Sequence, residues 1–145
     1  MCRAVTSFLA LVMLYSCQAN SQTFTKHEYE RFVAETSLAF HDGCLKGRIE
    51  LYLELEKNGL ILEEFDRAGL HYAAYRCGEM LEDHELIFNS GIVLIFDLNF
   101  WENRVDCRVI KHSARELNLS ADFRERLENS EVYCVDEYMI VGDDS

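Results

Sequence analysis

The 145-residue sequence contains no proline and no long apolar run. Proline fixes the backbone and interrupts helices, so its absence favours continuous helices joined by turns that carry glycine and asparagine. A membrane-spanning helix needs about 20 predominantly apolar residues. The apolar runs at residues 8–14 and 92–96 are much shorter. We therefore expect a helical protein that does not span a membrane.

Basic residues are scarce, since 14 Lys and Arg stand against 26 Asp and Glu and give a formal net charge of −12. Nucleic acids and anionic membranes are bound by clustered cations, so this balance argues against both partners. A basic protein partner remains open. The alternative is that the acidity only keeps the protein in solution.

Motifs for catalysis and cofactor binding are missing as well. The chain has no phosphate-binding G-x-x-x-x-G-K, no H-E-x-x-H, no G-x-S-x-G and no G-x-G-x-x-G pattern. Asp97-x-Asn99 begins like a calcium loop, but Glu102 stands where glycine is needed and Arg108 where a bidentate glutamate is needed. We predict that the protein is not an enzyme and has no cofactor or metal centre.

Two polar clusters are weaker candidates for a site. The run Glu82-Asp83-His84-Glu85 has donors that suit a loosely bound cation, although such runs more often form the solvated face of a helix. His41-Asp42 resembles a base with its orienting acid, but no nucleophile is placed beside it. We interpret the first cluster as a solvated helix face and the second as the polar end of a helix, and neither as a site.

The first residues have the pattern of a secretory signal peptide. Arg3 precedes the apolar stretch 8–14, and Cys17-Gln18-Ala19 has the small residues of a cleavage site. Cleavage after Ala19, or alternatively after Ser21, makes residues 1–19 the signal peptide and residues 20–145 a single secreted domain. This mature domain has a formal charge of −13, because Arg3 is removed.

Four cysteines remain in the mature chain, and an even number in a small exported domain predicts two disulfides. They are Cys44, Cys77, Cys107 and Cys134. Zinc is the competing explanation, but there is no C-x-x-C pair and no closely spaced histidine pair. Successive cysteines lie at nearly equal distances on either side of a predicted turn. In an up-and-down bundle all four sulfurs are then at about the same height along the bundle axis. Pairing between neighbours, Cys44–Cys77 and Cys107–Cys134, is natural in this arrangement, although the other pairings satisfy it equally well.

The chain is predicted to fold as an all-α bundle of four to five helices stapled by these disulfides. The first helix opens with a capping box from Thr25 to Glu28, and Phe24 and Tyr29 are positioned as a hydrophobic staple. Its apolar stripe is Tyr29, Phe32, Val33, Thr36 and Phe40. Asp42-Gly43 ends or kinks it.

The later helices follow from turn signals and apolar spacing. A second helix is predicted over residues 44–57, with Leu45, Ile49, Tyr52, Leu53 and Leu55 inward and Asn58-Gly59 as its stop. A third spans residues 62–88, with Phe65, Tyr72, Leu81 and Phe88 in the core. A buried helix covers residues 92–117, because a lone strand there would leave its backbone groups unpaired. Ser120 caps a last helix over residues 121–130, and an acidic tail begins at about residue 135.

Two surface features complete the candidates. The aromatic-rich segment 96–101 cannot bury every ring on one helix face, so Phe100 or Trp101 is a candidate anchor for a partner protein; the alternative is that these rings fill the core. Asn118-Leu119-Ser120 is the only glycosylation sequon, so Asn118 is a candidate glycosylation site.

The mature chain resembles the anopheline mosquito salivary family that includes anophensin and albicin. The segments that carry this resemblance are the aromatic first helix followed by His41-Asp42-Gly43-Cys44, then Tyr75-Arg76-Cys77, Val105-Asp106-Cys107 and Tyr133-Cys134. The resemblance implies a non-enzymatic salivary protein of a blood feeder that inhibits host plasma cascades. Its expected partner is the convertase of the alternative complement pathway, and contact-system inhibition is also attributed to members.

An alternative function belongs to another class. Insect odorant-binding proteins are also secreted helical domains, and they carry small hydrophobic ligands. This chain lacks their closely spaced cysteine pairs, which weakens that interpretation. A third possibility is an unrelated parasite or venom effector that is also a small, disulfide-linked helical domain.

Overall fold

The protein is described from a computed structural model that covers residues 22–98, 105–130, 132–135 and 138–141. The predicted signal peptide lies outside these residues. Within them the helices are α1 (Lys26–Ser37), α2 (Lys46–Lys57), α3 (Glu64–Leu81), α4 (His84–Ile92), α5 (Cys107–Glu116) and α6 (Ser120–Glu128). The predicted helical bundle is confirmed. None of the helices described is long and apolar enough to cross a membrane.

The start of α1 follows the predicted capping box. The backbone N–H of Glu28 donates to the Thr25 hydroxyl, and the Glu28 carboxylate accepts from the Thr25 backbone N–H at 2.8 Å. These two bonds satisfy donors that would otherwise be unpaired at a helix start. A 3₁₀ turn (Leu38–His41) extends α1, and Asp42 ends it with a left-handed backbone, φ 56°.

The stop at the end of α2 is also confirmed. Asn58 follows the last helical residue, and Gly59 has a φ of 102° that glycine adopts without strain. The chain then forms a bridge with the segment before α1, since the N–H of Ile61 donates to the carbonyl of Gln22 at 3.0 Å. This bridge fixes the loop that leads into α3.

The segment predicted as one helix over residues 62–88 contains two. Glu82 has a left-handed backbone with φ 54° and ends α3. Asp83 accepts from the Leu86 N–H at 3.1 Å and from the Lys46 ammonium at 2.6 Å. The run at residues 82–85 is therefore a helix boundary, and the prediction of one continuous helix through it is wrong, although Glu82 and Glu85 are solvent-exposed as expected. A side-chain cap and an ion pair to α2 outweigh the unbroken helical pattern.

The predicted helix over residues 92–117 is likewise divided. Its apolar start is helical, because α4 continues into a π-helical turn (Val93–Asp97) with Leu94 and Ile95 buried. The helix does not continue to residue 117 as predicted. Leu98 is the last residue described before the gap, and α5 begins afresh at Cys107, where Asp106 accepts from the Arg108 N–H at 2.8 Å.

The last helix begins one residue earlier than predicted. Ser120 is the first residue of α6, and Leu119 holds the N-cap position without a side-chain hydrogen bond. The prediction of Ser120 as the cap is therefore wrong. Asp122 lies in the first turn as expected, where its negative charge interacts favourably with the positive end of the helix dipole.

A short antiparallel hairpin follows the helices, in the region where only an acidic tail was expected. Strands β1 (Val132–Val135) and β2 (Tyr138–Val141) pair with Val132 opposite Val141 and Val135 opposite Tyr138. Strand β2 packs against α5. The hairpin was missed because both strands are apolar at every position, so they show no alternation of apolar and polar residues that would indicate a strand.

Two buried clusters form the interior. One lies between α1, α2 and α3 and includes Phe32, Ile49 and Leu70; the other lies between α3, α4, α5 and α6 and includes Tyr75, Ile110 and Phe123. Helix α3 contributes to both clusters and therefore forms the spine of the bundle.

A disulfide joins the segment just before α2 to this spine. Cys44 and Cys77 are bonded, with 5.3 Å between their Cα atoms, which confirms this neighbour pair. Cys107 is also disulfide-bonded. The side chain of Cys134, its predicted partner, lies outside the described residues.

Candidate functional site

The most unusual surface feature is a groove lined by exposed aromatic and aliphatic side chains between α1, the 3₁₀ turn and α3. We call it the aromatic groove, and its volume is about 310 Å³. It is lined by Phe32, Val33, Thr36, Ser37, Phe40, His41, Phe65, Asp66 and Gly69.

Phe65 is the most exposed large apolar residue of the described chain. Its side chain is 84% exposed, although the sequence predicted it in the core. That prediction is wrong because Phe65 lies in the first turn of α3, while the buried face of this helix begins at Ala68. Together with Val33 and Phe40, which line the same groove and are also exposed, Phe65 forms an exposed apolar patch, and such patches commonly mark contact surfaces.

The stripe of α1 divides in a similar way. Phe32 and Thr36 are buried as predicted, whereas Val33 and Phe40 are about two-fifths exposed. Neighbouring residues of a helix point about 100° apart, so Phe32 and Val33 cannot both face the core. The stripe is wider than the core it covers, and its exposed edge becomes one wall of the aromatic groove.

Two further predicted core residues are exposed. Leu45 and Leu81 are 41% and 51% exposed, respectively, and both lie at helix ends. Neither lines the aromatic groove. An exposed leucine at a helix end is ordinary, so these two positions serve as comparison sites for Phe65.

Acidic residues lie at the start of α3, where this helix meets the aromatic groove. Glu63 and Glu64 are exposed, and Asp66 lines the groove itself. The Tyr29 hydroxyl donates to the Asp66 carboxylate at 3.1 Å. This hydrogen bond and the charge of Asp66 raise the pKa of Tyr29, because both disfavour the phenolate. The surface therefore combines apolar contact area with negative charge.

The wall behind the groove is firmly packed. The ring centres of Phe32 and Tyr52 are 5.1 Å apart in an edge-to-face contact. The Tyr52 hydroxyl donates to Glu35, which also accepts from the Arg48 guanidinium at 2.9 Å. On the other side, the rings of Phe40 and Tyr72 are 4.8 Å apart. Because neighbours on α2 and α3 hold the walls, the groove is a preformed feature of the bundle.

A separate polar cluster links α2 to α3. Glu56 accepts from the Arg67 guanidinium, and its other oxygen lies 2.9 Å from Nε2 of the buried His71. Burial opposes the ionisation of Glu56, but the hydrogen bonds from His71 and Arg67 outweigh it and hold the pKa of Glu56 below its ordinary value. The Nδ1 atom of His71 is buried without a hydrogen-bond partner. These contacts join two helices.

Histidines on α4 and α5 make a smaller cluster. His84 Nδ1 lies 3.2 Å from the buried Ser113 hydroxyl, and the rings of His84 and His112 are 5.2 Å apart. Among residues 22–98 and 105–130, the structure brings no three His, Cys, Asp or Glu side chains together in a metal-binding arrangement. The cluster packs α4 against α5.

The sequence-predicted surface residues have different outcomes. Phe100 and Trp101 lie outside the described residues, so their role as an anchor stays a prediction. Asn118 is exposed in the turn between α5 and α6, with a left-handed φ of 59°. His41 lies at the edge of the aromatic groove, and Asp42 is 3.5 Å from the Arg76 guanidinium. The structure thus ties this pair to a helix end and a groove wall.

Sequence reasoning missed Phe65, and one signal pointed to it. Phe65 is embedded in the acidic run Glu63-Glu64-Phe65-Asp66 at a helix start. Acidic residues favour the first turn of a helix, where they are solvated. A ring within such a run is therefore expected to lie on a solvent-facing turn.

No protein-family model, curated protein or solved structure matches this chain.

Proposed function

We propose that this protein is a secreted salivary inhibitor of a host plasma cascade, the alternative complement pathway, and that it acts by stoichiometric binding. The observation that carries the proposal is the exposure of Phe65 beside the aromatic groove. Burying an exposed aromatic side chain against a partner is a major source of binding energy in protein interfaces. The choice of pathway rests on the resemblance to the anophensin and albicin family.

The chemistry of the groove defines the partner surface. Val33, Phe40 and Phe65 supply apolar contact, and Glu63, Glu64 and Asp66 supply negative charge. The matching surface carries an apolar side chain that enters the groove and basic side chains around it. Charge of this kind accelerates association and selects the partner. A large plasma protein with a basic patch meets both requirements.

The mode of inhibition follows from what this surface offers. A preformed groove with exposed rings gives contact area, and contact area blocks access to a protease complex without cutting it. Inhibition is then expected to saturate near one molecule of inhibitor for each target complex.

Purified mature protein, residues 20–145, tests the proposal in an alternative-pathway assay of rabbit erythrocyte lysis. We expect inhibition at submicromolar concentration, with intact complement components on a gel. Cleavage of a component would contradict binding as the mechanism. Unchanged lysis at micromolar protein would exclude the complement target, and inhibition confined to contact-activated clotting would transfer the proposal to that pathway.

A further inference from the structure

A second groove, between α5 and α6, has the opposite charge from the rest of the molecule. We call it the basic groove, and its volume is about 470 Å³. Ala114, Phe123 and Leu127 supply its apolar lining. Its polar lining consists of Lys111, Arg115, Arg124 and Ser120, with no acidic residue.

These three cations differ from most others in the described chain, because they have no partner there. Seven Lys and Arg side chains form salt bridges with Asp or Glu: Lys26, Lys46, Arg48, Arg67, Arg76, Arg108 and Arg126. Within the described residues, Lys111, Arg115 and Arg124 form no salt bridge or hydrogen bond with another side chain. The chain carries a formal charge of −12, so acidic partners are abundant, yet none lines this groove.

The contrast is sharpest on α6 itself. Arg126 pairs with Asp122 at 3.1 Å across one helical turn. Arg124, two positions earlier, points to the basic groove and has no such pair in the described structure. The three unpaired cations therefore converge on one apolar floor from two helices.

We propose that the basic groove binds an amphipathic anion with a single carboxylate or phosphate head and an alkyl chain. The head group lies among Lys111, Arg115 and Arg124, which are the donors that recognise carboxylates and phosphates. The alkyl chain lies along Phe123 and Leu127. A volume of about 470 Å³ is within the range of small-molecule sites, roughly 300–1,000 Å³.

A long polyanion is a poorer occupant than a small amphiphile. Beyond the groove it would meet a surface whose net charge is strongly negative. It would also leave the apolar floor uncovered. The combination of a few cations with an apolar lining matches one charged head and one chain.

Isothermal titration calorimetry with four probes tests both halves of the ligand. Dodecanoate and dodecyl phosphate carry head and chain, dodecanol carries the chain alone, and inorganic phosphate carries the head alone. We expect one molecule of either amphiphile to bind at micromolar concentration, with dodecanol and inorganic phosphate at least 10-fold weaker. Equal binding of dodecanol and dodecanoate would overturn the role of the cations, and equal binding of inorganic and dodecyl phosphate would overturn the role of the apolar floor.

Matched variants locate the site. Arg115→Gln and Arg124→Gln should each weaken dodecanoate binding about 10-fold, and Arg126→Gln, on the same helix as Arg124 but paired with Asp122, should leave it unchanged. Equal effects of all three variants would place the ligand elsewhere. If neither amphiphile binds, the proposal is overturned. If, in that case, Arg115→Gln also lost complement inhibition, the cations of the basic groove would instead bind an acidic surface of a partner protein.

Discussion

The packing of α3 against α4 can be tested by adding one methyl group at a glycine. A Cβ atom at Gly78 would lie 2.8 Å from Cγ1 and 2.9 Å from the backbone nitrogen of Ile87. Ordinary contacts start at about 3.4 Å, so α4 must shift by roughly half an ångström in Gly78→Ala. Overpacking of this kind costs about 1–3 kcal/mol. Gly69→Ala is the matched control in the same helix, because a Cβ there meets no atom within 4 Å.

The two variants gain the same helix propensity, about 1 kcal/mol, so their difference isolates the overpacking. Gly69→Ala should raise the free energy of unfolding by about 0.5–1 kcal/mol. Gly78→Ala should be about 1–3 kcal/mol less stable than Gly69→Ala, or roughly 4–12 °C lower in Tm for a domain of this size. Urea and thermal unfolding measure both. Equal stability of the two variants would refute the close approach of α3 and α4.

Three further predictions concern other parts of the bundle. Replacing Cys44 and Cys77 together by alanine should lower the free energy of unfolding in guanidinium by about 3–4 kcal/mol, since a loop of about 30 residues is no longer closed. The pKa of Glu56 is held below its ordinary value of 4.5, so its contribution to stability is present above pH 4.5 and is lost as pH falls below it; Glu56→Gln should flatten the acid limb of a urea-midpoint profile between pH 6 and 3. Protein secreted from insect cells should lose glycan mass on enzymatic deglycosylation, and Asn118→Gln should abolish that loss.

Local signals with a single physical cause were predictable from the sequence. The capping box from Thr25 to Glu28 and the Asn58-Gly59 stop depend on neighbouring residues alone, and both are confirmed. Pairing of Cys44 with Cys77 was the natural choice for neighbouring helices, although the other pairings fitted an up-and-down bundle equally well, and the structure confirms it. The burial of Leu94 followed from the composition of its segment.

Features set by tertiary contacts were not predictable in the same way. The break between α3 and α4 depends on the ion pair from Asp83 to Lys46, which lies 37 positions away in the sequence. The exposure of Phe65 depends on where the buried face of α3 begins, and apolar spacing alone does not give this. The basic groove depends on α5 and α6 lying side by side, so its cations are unremarkable when the chain is read linearly.

A dose–response comparison in the rabbit erythrocyte assay tests whether Phe65 anchors an inhibitory complex. Phe65→Ala and Leu81→Ala both remove an exposed apolar side chain from α3, and only Phe65 lines the aromatic groove. Circular dichroism and urea unfolding should show both variants folded and as stable as the unmodified protein. We expect the inhibitory concentration of Phe65→Ala to rise at least 10-fold, as for an interface hot spot, and that of Leu81→Ala to stay unchanged. Full inhibition by Phe65→Ala would show that Phe65 does not anchor the complex.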